Sequence, residues 1–485
     1  MMNKEIQHII DSTYKEFLHT SLAKYDFVDI ILSLVSWGWL STCIDTHELD
    51  IDYTTKGLRS PGLAFHLDLK MITSKSRDLK YEFEQATNMW ERENPTLLKG
   101  LLYIESNRLK DIPFGSWNKV CCLWANYFDK SNFDIRKSKE NMLLIFDSLE
   151  SLLTAQMQTE ASEVFTPREV ANLMVQYFDD KRSSSIYDPH CKAGDLLSLA
   201  ATKLEGARMI KGSTQSSFSW KWANLRILMI DSSAIISIHK GLALSQAAKS
   251  EKFDTILLNP PFGGVNNGSG MPDSSGKWSA LFNKTKRTDI AYLCHALDHM
   301  ADDGQIAVIV PNILLSGQAL IKELRAKILD DNLLDAVITL PARIFYNTGV
   351  SAAILFLSKI RKSDKVFMLD ASGMLYKKGK QFCLDAEKVN GLFNRRKEQT
   401  PVNDERVRFV TVETIVENDY DLQFSIYGNR ENTFFNNMTP SGDLLKECHE
   451  LEEELIKVQA QIKIITADKY NIIPQSDMHD GPDKD

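Results

Sequence analysis

The sequence predicts an α/β protein, with a doubly wound and mostly parallel sheet between an N-terminal helical domain and a C-terminal helical arm. Three observations predict this class. Apolar residues recur at three- and four-residue steps through residues 1–155, the spacing of one helix face. From residue 184 onwards, short β-branched runs alternate with helix-length amphipathic stretches, as in parallel strands buried on both faces. Near the end of the chain, apolar residues follow a heptad spacing.

The composition limits the classes of protein that remain. Of 485 residues, 43% are apolar and 25% are charged, which is ordinary for a globular protein and excludes disorder as its main state. The formal net charge of -8 argues against a protein whose whole surface binds nucleic acid, but it allows nucleic acid in one local cleft. The seven cysteines form no C-x-x-C pair, and no His/Asp/Glu cluster has ligand spacing, so we expect no metal.

We expect a location in the reducing cytoplasm. The first residues hold no uninterrupted apolar run typical of a secretory signal. No window of about 18 residues is apolar and free of charge, so we expect no membrane span.

The N-terminal region is predicted to be mostly helical, with its aromatic residues in the core. Stretches such as FVDIILSLVSWGWLSTCI and ENMLLIFDSLESLLTAQMQ show the helical period. We interpret the tryptophans of this region as core residues rather than DNA contacts. They are Trp37, Trp39, Trp90, Trp117 and Trp124.

Seven runs are predicted to be strands: SSIYDP, ARMIKGS, IISIHKG, FDTILLNP, QIAVIVP, LDAVITLP and AAILFLS. Only about a dozen residues separate the last two, too few for a helical crossover, so we expect AAILFLS to insert antiparallel. A doubly wound sheet binds its ligand outside the carboxyl ends of its strands. We therefore expect the chemistry at the ends of SSIY and FDTILL.

The C-terminal part is predicted to end in a helix that needs another helix as its partner. Seven apolar residues from Leu444 to Ile465 follow strict 4-3 spacing. The helix either folds back on its own domain or docks to a partner subunit. The predicted divisions are a helical domain at 1–155, a sheet domain at 156–362, a mixed extension at 363–440, a coiled-coil-like helix at 441–470 and a disordered tail at 471–485.

The sharpest motif is Asn259-Pro260-Pro261-Phe262, directly after the apolar run FDTILL. An amino group conjugated to a ring is a poor nucleophile, because its lone pair is delocalised. An Asn oxygen and a proline-fixed carbonyl can each accept one of its N–H groups and draw the nitrogen towards tetrahedral geometry. Phe262 offers a face for a flipped base. The alternative is a turn that caps a strand.

Here the sequence resembles the N6-adenine DNA methyltransferases, specifically the modification subunits of type I restriction-modification systems. The resemblance runs from about Glu163 to Lys359. Residues 165–169 are similar to the F-T-P-R-E segment of that family, and 188–197 resemble its D-P-x-C-G-S-G cofactor loop. The block 311–359, with its L-P-x-x-x-F and T-G-V elements, is similar to the family's downstream block. The resemblance implies a methyltransferase-type, Rossmann-like sheet.

The resemblance also implies residue roles. Asn259, Pro260 and Phe262 would hold the target adenine, flipped out of double-stranded DNA. Asp188 and Gly194 would line the methionine end of S-adenosylmethionine. The full set of cofactor-binding residues implied in this way is Phe165, Thr166, Pro167, Asp188, Cys191, Gly194, Asp195 and Thr214, with Thr166 at the cofactor's carboxylate.

Three positions depart from the family pattern, and all concern the cofactor. Lys192 stands at a glycine position and brings bulk and positive charge beside a sulfonium. Thr214 replaces an acid that takes both ribose hydroxyls. Leu242 stands where a polar side chain reads the cofactor's adenine. Together, these losses predict cofactor binding weakened by roughly 10- to 1000-fold.

Other features receive plainer interpretations. Asp289 is predicted to be a helix N-cap or first-turn acid. His295 and His299 lie one turn apart but suit an ordinary amphipathic helix. The glycine-rich stretch 263–279 is predicted to be a mobile loop that closes over the target base. A basic strip for a phosphate backbone is formed by Lys277, Lys284, Lys286 and Arg287.

Three functions compete. The first is adenine N6 methylation in DNA within an assembly: a specificity subunit, a second copy of this chain and a restriction nuclease subunit would be partners. The second is a non-catalytic scaffold or sensor, which the three departures favour. The third is methylation of a protein glutamine, against which the F-T-P-R-E segment and the helical domain argue.

Overall fold

A computed structural model describes fourteen segments of the chain, and Met1–Gly428 form one compact unit. The described segments are 4–18, 20–44, 73, 78–129, 137–156, 165–178, 183–204, 206–229, 234–245, 251–263, 277–345, 350–378, 381–398 and 404–428. The predicted heptad helix at 441–470 and the tail at 471–485 lie outside them, as does most of the predicted mobile loop. The division of the chain into domains stays a prediction.

The first part of the chain is helical, as predicted. Its aromatic side chains fill the core: each of the five tryptophans is at most 2% exposed, which confirms their interpretation as core residues. The helices of this part are α1 Lys4–Phe17, α2 Lys24–Ile44, α3 Leu79–Glu93, α4 Phe114–Tyr127 and α5 Ser138–Gln156.

A nine-stranded sheet follows, and all seven predicted strands belong to it. Its order is β11-β8-β6-β7-β5-β4-β1-β2-β3. Its strands are β1 Ser185–Asp188, β2 Met209–Thr214, β3 Ile235–Lys240, β4 Phe253–Leu258, β5 Met300–Pro311, β6 Leu334–Thr339, β7 Ala352–Ser358, β8 Lys365–Asp370 and β11 Val407–Thr411. A separate hairpin is made by β9 Leu375–Lys378 and β10 Gln381–Leu384.

The direction of the strands determines where a ligand site can lie. From β1 the chain winds outward through β2 and β3, and it then returns to the other side of β1 with β4 and β5. All of these neighbours are parallel, so a crevice opens at the carboxyl ends of β1 and β4. Strand β7 runs antiparallel between β5 and β6, which confirms the prediction from its short connection.

Helices cover both faces of the sheet. They are α6 Arg168–Gln176, α7 Asp195–Lys203, α8 Ser217–Met229, α9 Ser279–Lys284, α10 Thr288–Asp298, α11 Ile313–Ser316, α12 Leu320–Asp330, α13 Ala386–Asn394, α14 Val412–Glu417 and α15 Phe424–Tyr427. Residues beyond 362 add two strands to the main sheet, a role for β8 and β11 that their weak sequence pattern did not reveal.

Helix α8 joins the N-terminal helices to the sheet. Trp222 and Leu225 share one apolar core with the tryptophans of the helical part. Two buried cations of α8 form ion pairs across the same contact: Lys221 Nζ lies 2.6 Å from Asp29 Oδ1, and Arg226 Nη2 lies 2.9 Å from Asp147 Oδ1. The helical part therefore packs against the sheet through both apolar and ionic contacts.

Candidate active site

Asn259 follows the last residue of β4, and its amide is hydrogen-bonded to Thr166. Its side chain is 4% exposed, and its Nδ2 donates a hydrogen bond of 2.9 Å to Thr166 Oγ1. The amide oxygen accepts no hydrogen bond from any residue that the structure describes. A buried amide with one side satisfied and one side open is a ready acceptor for a ligand's N–H.

The backbone of Asn259 is fixed as well, by a residue to which sequence reasoning gave no role. His190 Nδ1 lies 3.0 Å from the Asn259 carbonyl oxygen. A carbonyl only accepts, so Nδ1 carries the proton. Burial and the nearby charge of Lys192 lower the pKa of His190 to about 3, so the ring is neutral at physiological pH. His190 fills the variable position of the D-P-x-C segment, where no sequence signal distinguishes it.

The rest of the target turn (residues 259–263) presents an aromatic edge. Pro260 is buried and Pro261 is exposed. Phe262 is half-buried, with its ring 6.0 Å from that of Phe345 in an edge-to-face arrangement. The turn therefore buries its amide and leaves part of its aromatic ring accessible.

The cofactor loop (residues 188–195) lies beside the target turn. Gly194 has φ +79°, and a Cβ there would lie 3.0 Å from the Cα of Ala223 in α8. Only glycine fits this close approach. The loop is tied to β2 by a hydrogen bond of 2.9 Å from the Cys191 N–H to the Ser213 carbonyl, and it ends where α7 begins.

Thr166 connects the two parts of the site. Its N–H donates to Asp195 Oδ2 at 2.9 Å, while its hydroxyl accepts from Asn259. The structure thus brings together Thr166, Asp195 and Asn259, which are far apart in sequence. Phe165, by contrast, is 1% exposed and packs edge-to-face on Trp222 with a centroid distance of 5.3 Å, and Cys191 is equally buried.

The residues at the ends of β2 and β3 hold one another. Thr214 is 5% exposed, and its carbonyl accepts the Gly241 N–H at 2.8 Å. Ser213 Oγ donates to the Gly241 carbonyl at 2.7 Å. Leu242 is half-buried beside them. The groups that could face a cofactor here are the hydroxyls and backbone atoms of Ser213, Thr214 and Gly241. None of these three residues carries a carboxylate.

Comparison with known proteins decides the family. The family described as N-6 DNA Methylase matches residues 142–434, more than half of the chain. The protein belongs to the N-6 DNA methylase family. Membership confirms the resemblance found in the sequence and the α/β fold class. It identifies the chain as an adenine-specific DNA methyltransferase with S-adenosylmethionine as the cofactor of its family.

Individual relatives are similar at low identity. The type I restriction enzyme MpnII methylase subunit of Mycoplasma pneumoniae is 23% identical over 403 residues, which cover 74% of this chain and 71% of that protein. The EcoEI methylase subunit of Escherichia coli is 25% identical over 257 residues, so the match spans about half of either chain. A type I methyltransferase subunit from Streptococcus thermophilus has the same fold, with a TM-score of 0.69, 20% identity and coverage of 87% of this chain and 99% of that one.

The residues of the N-6 DNA methylase site fit S-adenosylmethionine. Asp188 is 1% exposed, and burial raises its pKa well above the usual range. A cationic ligand group beside it would hold the carboxylate ionised, and the cofactor carries a sulfonium and an ammonium. The close approach at Gly194 leaves the loop backbone, rather than side chains, to face the ligand.

Lys192 works against this fit. It has φ +50°, a left-handed conformation that costs a residue with a Cβ about 1 kcal/mol. Its side chain is 6% exposed, and its charge lowers the pKa of Asp188, opposing the effect of burial. The lysine therefore provides within the protein part of the positive charge that a bound cofactor would bring.

We expect Lys192→Gly to bind S-adenosylmethionine roughly tenfold more tightly, because a competing positive charge near the sulfonium is removed. Titration calorimetry measures this. Lys192→Ala is the matched control: it removes the charge but keeps the strained backbone, so it should bind as tightly yet unfold more easily than Lys192→Gly. Weaker binding in both variants would mean that the ammonium instead holds the cofactor's carboxylate.

Other expectations can be compared with the structure. Asp289 lies in the first turn of α10, with Arg287 at the N-cap position, so the expectation of a first-turn acid is confirmed. The imidazoles of His295 and His299 stack at 4.1 Å, and Tyr187 Oη lies 2.9 Å from His295 Nε2. No described helix is long and apolar enough to cross a membrane.

Proposed function

We propose that the target turn holds the exocyclic amino group of an adenine flipped out of double-stranded DNA. The observation that carries this proposal is the half-satisfied amide of Asn259. Its Nδ2 is engaged by Thr166 and its carbonyl by His190, while its Oδ1 is open. Fixing the donor end of the amide presents the acceptor end to the crevice, where an N–H can approach it.

The chemistry follows from two acceptors. Asn259 Oδ1 and the Pro260 carbonyl each accept one hydrogen of the adenine N6, and the nitrogen lone pair is freed from the ring. Proline at position 261 fixes the turn without needing a donor, so the acceptors are in place before the base arrives. Phe262 supplies the stacking face. S-adenosylmethionine, when bound, supplies an already activated methyl group.

The cofactor is held beside the turn by the loop between β1 and α7. Asp188, Gly194 and Asp195 line its methionine end, and Thr166 reaches its carboxylate. Thr214 contacts the ribose with a single hydroxyl. Phe165, which packs on Trp222, supports these residues together with Pro167 and Cys191. Crowding of the cofactor and the base around Thr166 excludes water from the path of transfer.

In the cell, the protein would be the modification subunit of a type I-like complex. The support is that its curated relatives are named as methylase subunits of type I restriction enzymes. Sequence choice would come from a separate specificity subunit. A second copy of this chain and a restriction nuclease subunit would complete the assembly, and the predicted heptad helix at 441–470 would dock a partner.

The hydrogen bond between Thr166 and Asn259 provides the test. We expect Thr166→Val to lower kcat for methyl transfer to adenine roughly 10- to 100-fold, because the amide is free to turn its NH2 group towards the base. Radiolabelled methyl incorporation into unmethylated DNA measures this. Thr166→Ser keeps the hydroxyl and should remain close to wild type. Equal rates in the valine and serine variants would contradict the proposal.

A further inference from the structure

The target turn is pinned at its far end by a buried carboxylate. The Asp289 side chain is fully buried in the first turn of α10. Its Oδ2 accepts the Gly263 N–H at 3.1 Å, and Gly263 has φ +66° directly after Phe262. The turn is therefore fixed at Asn259 by Thr166 and His190, and at Gly263 by Asp289.

The same carboxylate orients an arginine. Arg287 Nη2 donates to Asp289 Oδ2 at 2.6 Å, and Nε donates to Oδ1 at 3.1 Å. Two parallel N–H bonds fix the plane of the guanidinium as well as its position. Arg287 Nη2 also lies only 3.8 Å from the position that a Cβ on Gly263 would occupy, so the guanidinium borders the turn.

The other side of this guanidinium is available. The Arg287 side chain is 32% exposed, and its Nη1 makes no hydrogen bond to any part of the chain that the structure describes. Two neighbouring lysines also pair with carboxylates, but an ammonium has no plane that its partner could fix. Lys277 Nζ lies 2.6 Å from Asp331, and Lys284 Nζ lies 3.0 Å from Glu323. Two lysines of the basic strip are thus already paired with carboxylates.

We infer that Arg287, oriented by Asp289, binds a DNA backbone phosphate next to the flipped adenine. This inference rests on the proposed function. Arg287 is the DNA-contact residue and Asp289 is a positioning residue. A guanidinium held in plane by a buried carboxylate matches the fork geometry of a phosphate and loses little side-chain entropy on binding. Because Asp289 also fixes Gly263, the phosphate and the base would be held by one rigid unit.

Salt dependence is the test, with the full chain in its complex and unmethylated genomic DNA as methyl acceptor. Arg287→Ala should lower kcat/KM for DNA roughly tenfold at 0.1 M salt, and the slope of log(kcat/KM) against log[salt] should become shallower by about 0.9, the value for one lost phosphate contact. The KM for S-adenosylmethionine should stay unchanged. Lys119→Ala, which removes an exposed lysine of the helical part outside the strip, should keep the wild-type slope.

The outcomes separate the two proposals. A wild-type slope in Arg287→Ala, while wild type methylates adenine N6, would overturn this inference alone. Absence of adenine methylation by the wild-type complex would overturn the proposed function itself. If Arg287→Ala fails to fold because Asp289 is left unpaired, a double variant with Asp289→Asn removes both charges and keeps an oxygen for Gly263. The same shallower slope is expected there, and a wild-type slope would overturn the inference.

Discussion

Asn259→Ala is expected to abolish adenine methylation while leaving the affinity for S-adenosylmethionine nearly unchanged. The substitution removes one of the two acceptors that the target turn offers to N6, so the nitrogen lone pair stays delocalised in the ring. Loss of one preorganised hydrogen-bonding group at a reacting centre lowers the rate about 10²–10³-fold. In this variant the Thr166 hydroxyl also loses its hydrogen-bond partner, the Asn259 amide. Methyl incorporation measures the rate, and calorimetry measures cofactor binding.

A conservative variant controls for packing at this position. Asn259→Asp keeps an oxygen towards the crevice, and the Thr166 hydroxyl can turn to donate to the carboxylate. We expect intermediate activity from it. Retained methylation in Asn259→Ala would show that the acceptor lies elsewhere. Cofactor binding lost together with activity would place Asn259 in the cofactor pocket instead.

Arg226→Ala is expected to cost the most stability, about 3–5 kcal/mol, because it removes the buried cation that Asp147 and Glu150 share. Arg226 is 3% exposed, and it lies 2.9 Å from Asp147 Oδ1 and 3.3 Å from Glu150 Oε2, on the helix that precedes the F-T-P-R-E segment. Denaturant unfolding, with the midpoint and slope compared to wild type, measures the loss.

The matched control removes a different arginine, which pairs with Asp147 at the protein surface. Arg168 also pairs with Asp147, but its side chain is 60% exposed. Arg168→Ala should therefore cost less than about 1 kcal/mol. Equal losses in the two variants would contradict the view that burial of Arg226 sets the cost.

The Arg226 variant should also respond more strongly to pH. Burial raises the pKa of Glu150 to about 8 from an unfolded value of 4.5, and Arg226 opposes the rise. Between these values the folded protein binds more protons than the unfolded chain, so stability falls as the pH rises. Without Arg226 the folded pKa is higher still. The decline should therefore continue above pH 8 in the variant, whereas in the wild type it levels off near that pH.

Much of the fold followed from local patterns. The β-branched runs predicted seven of the nine strands of the central sheet, and the short connection before AAILFLS predicted its antiparallel direction. Most of these predictions succeed because a strand buried on both faces must be apolar along its whole length; the edge strand β3 is the exception, since it is largely exposed. Strands β8 and β11 were not predicted. The edge strand β11 is only half-buried and lacks a continuous apolar signal.

The sequence by itself predicted the chemistry, because an Asn-Pro-Pro-Phe turn after a buried strand offers acceptors for an amino group. The tertiary structure alone decided how that turn is held. The contacts come from distant positions: Thr166 and His190 lie 93 and 69 residues before Asn259. Asp289 lies 26 residues after Gly263. Such contacts leave no periodic trace, because a hydrogen bond depends on where the backbone brings two atoms together, and only the folded sheet sets that distance.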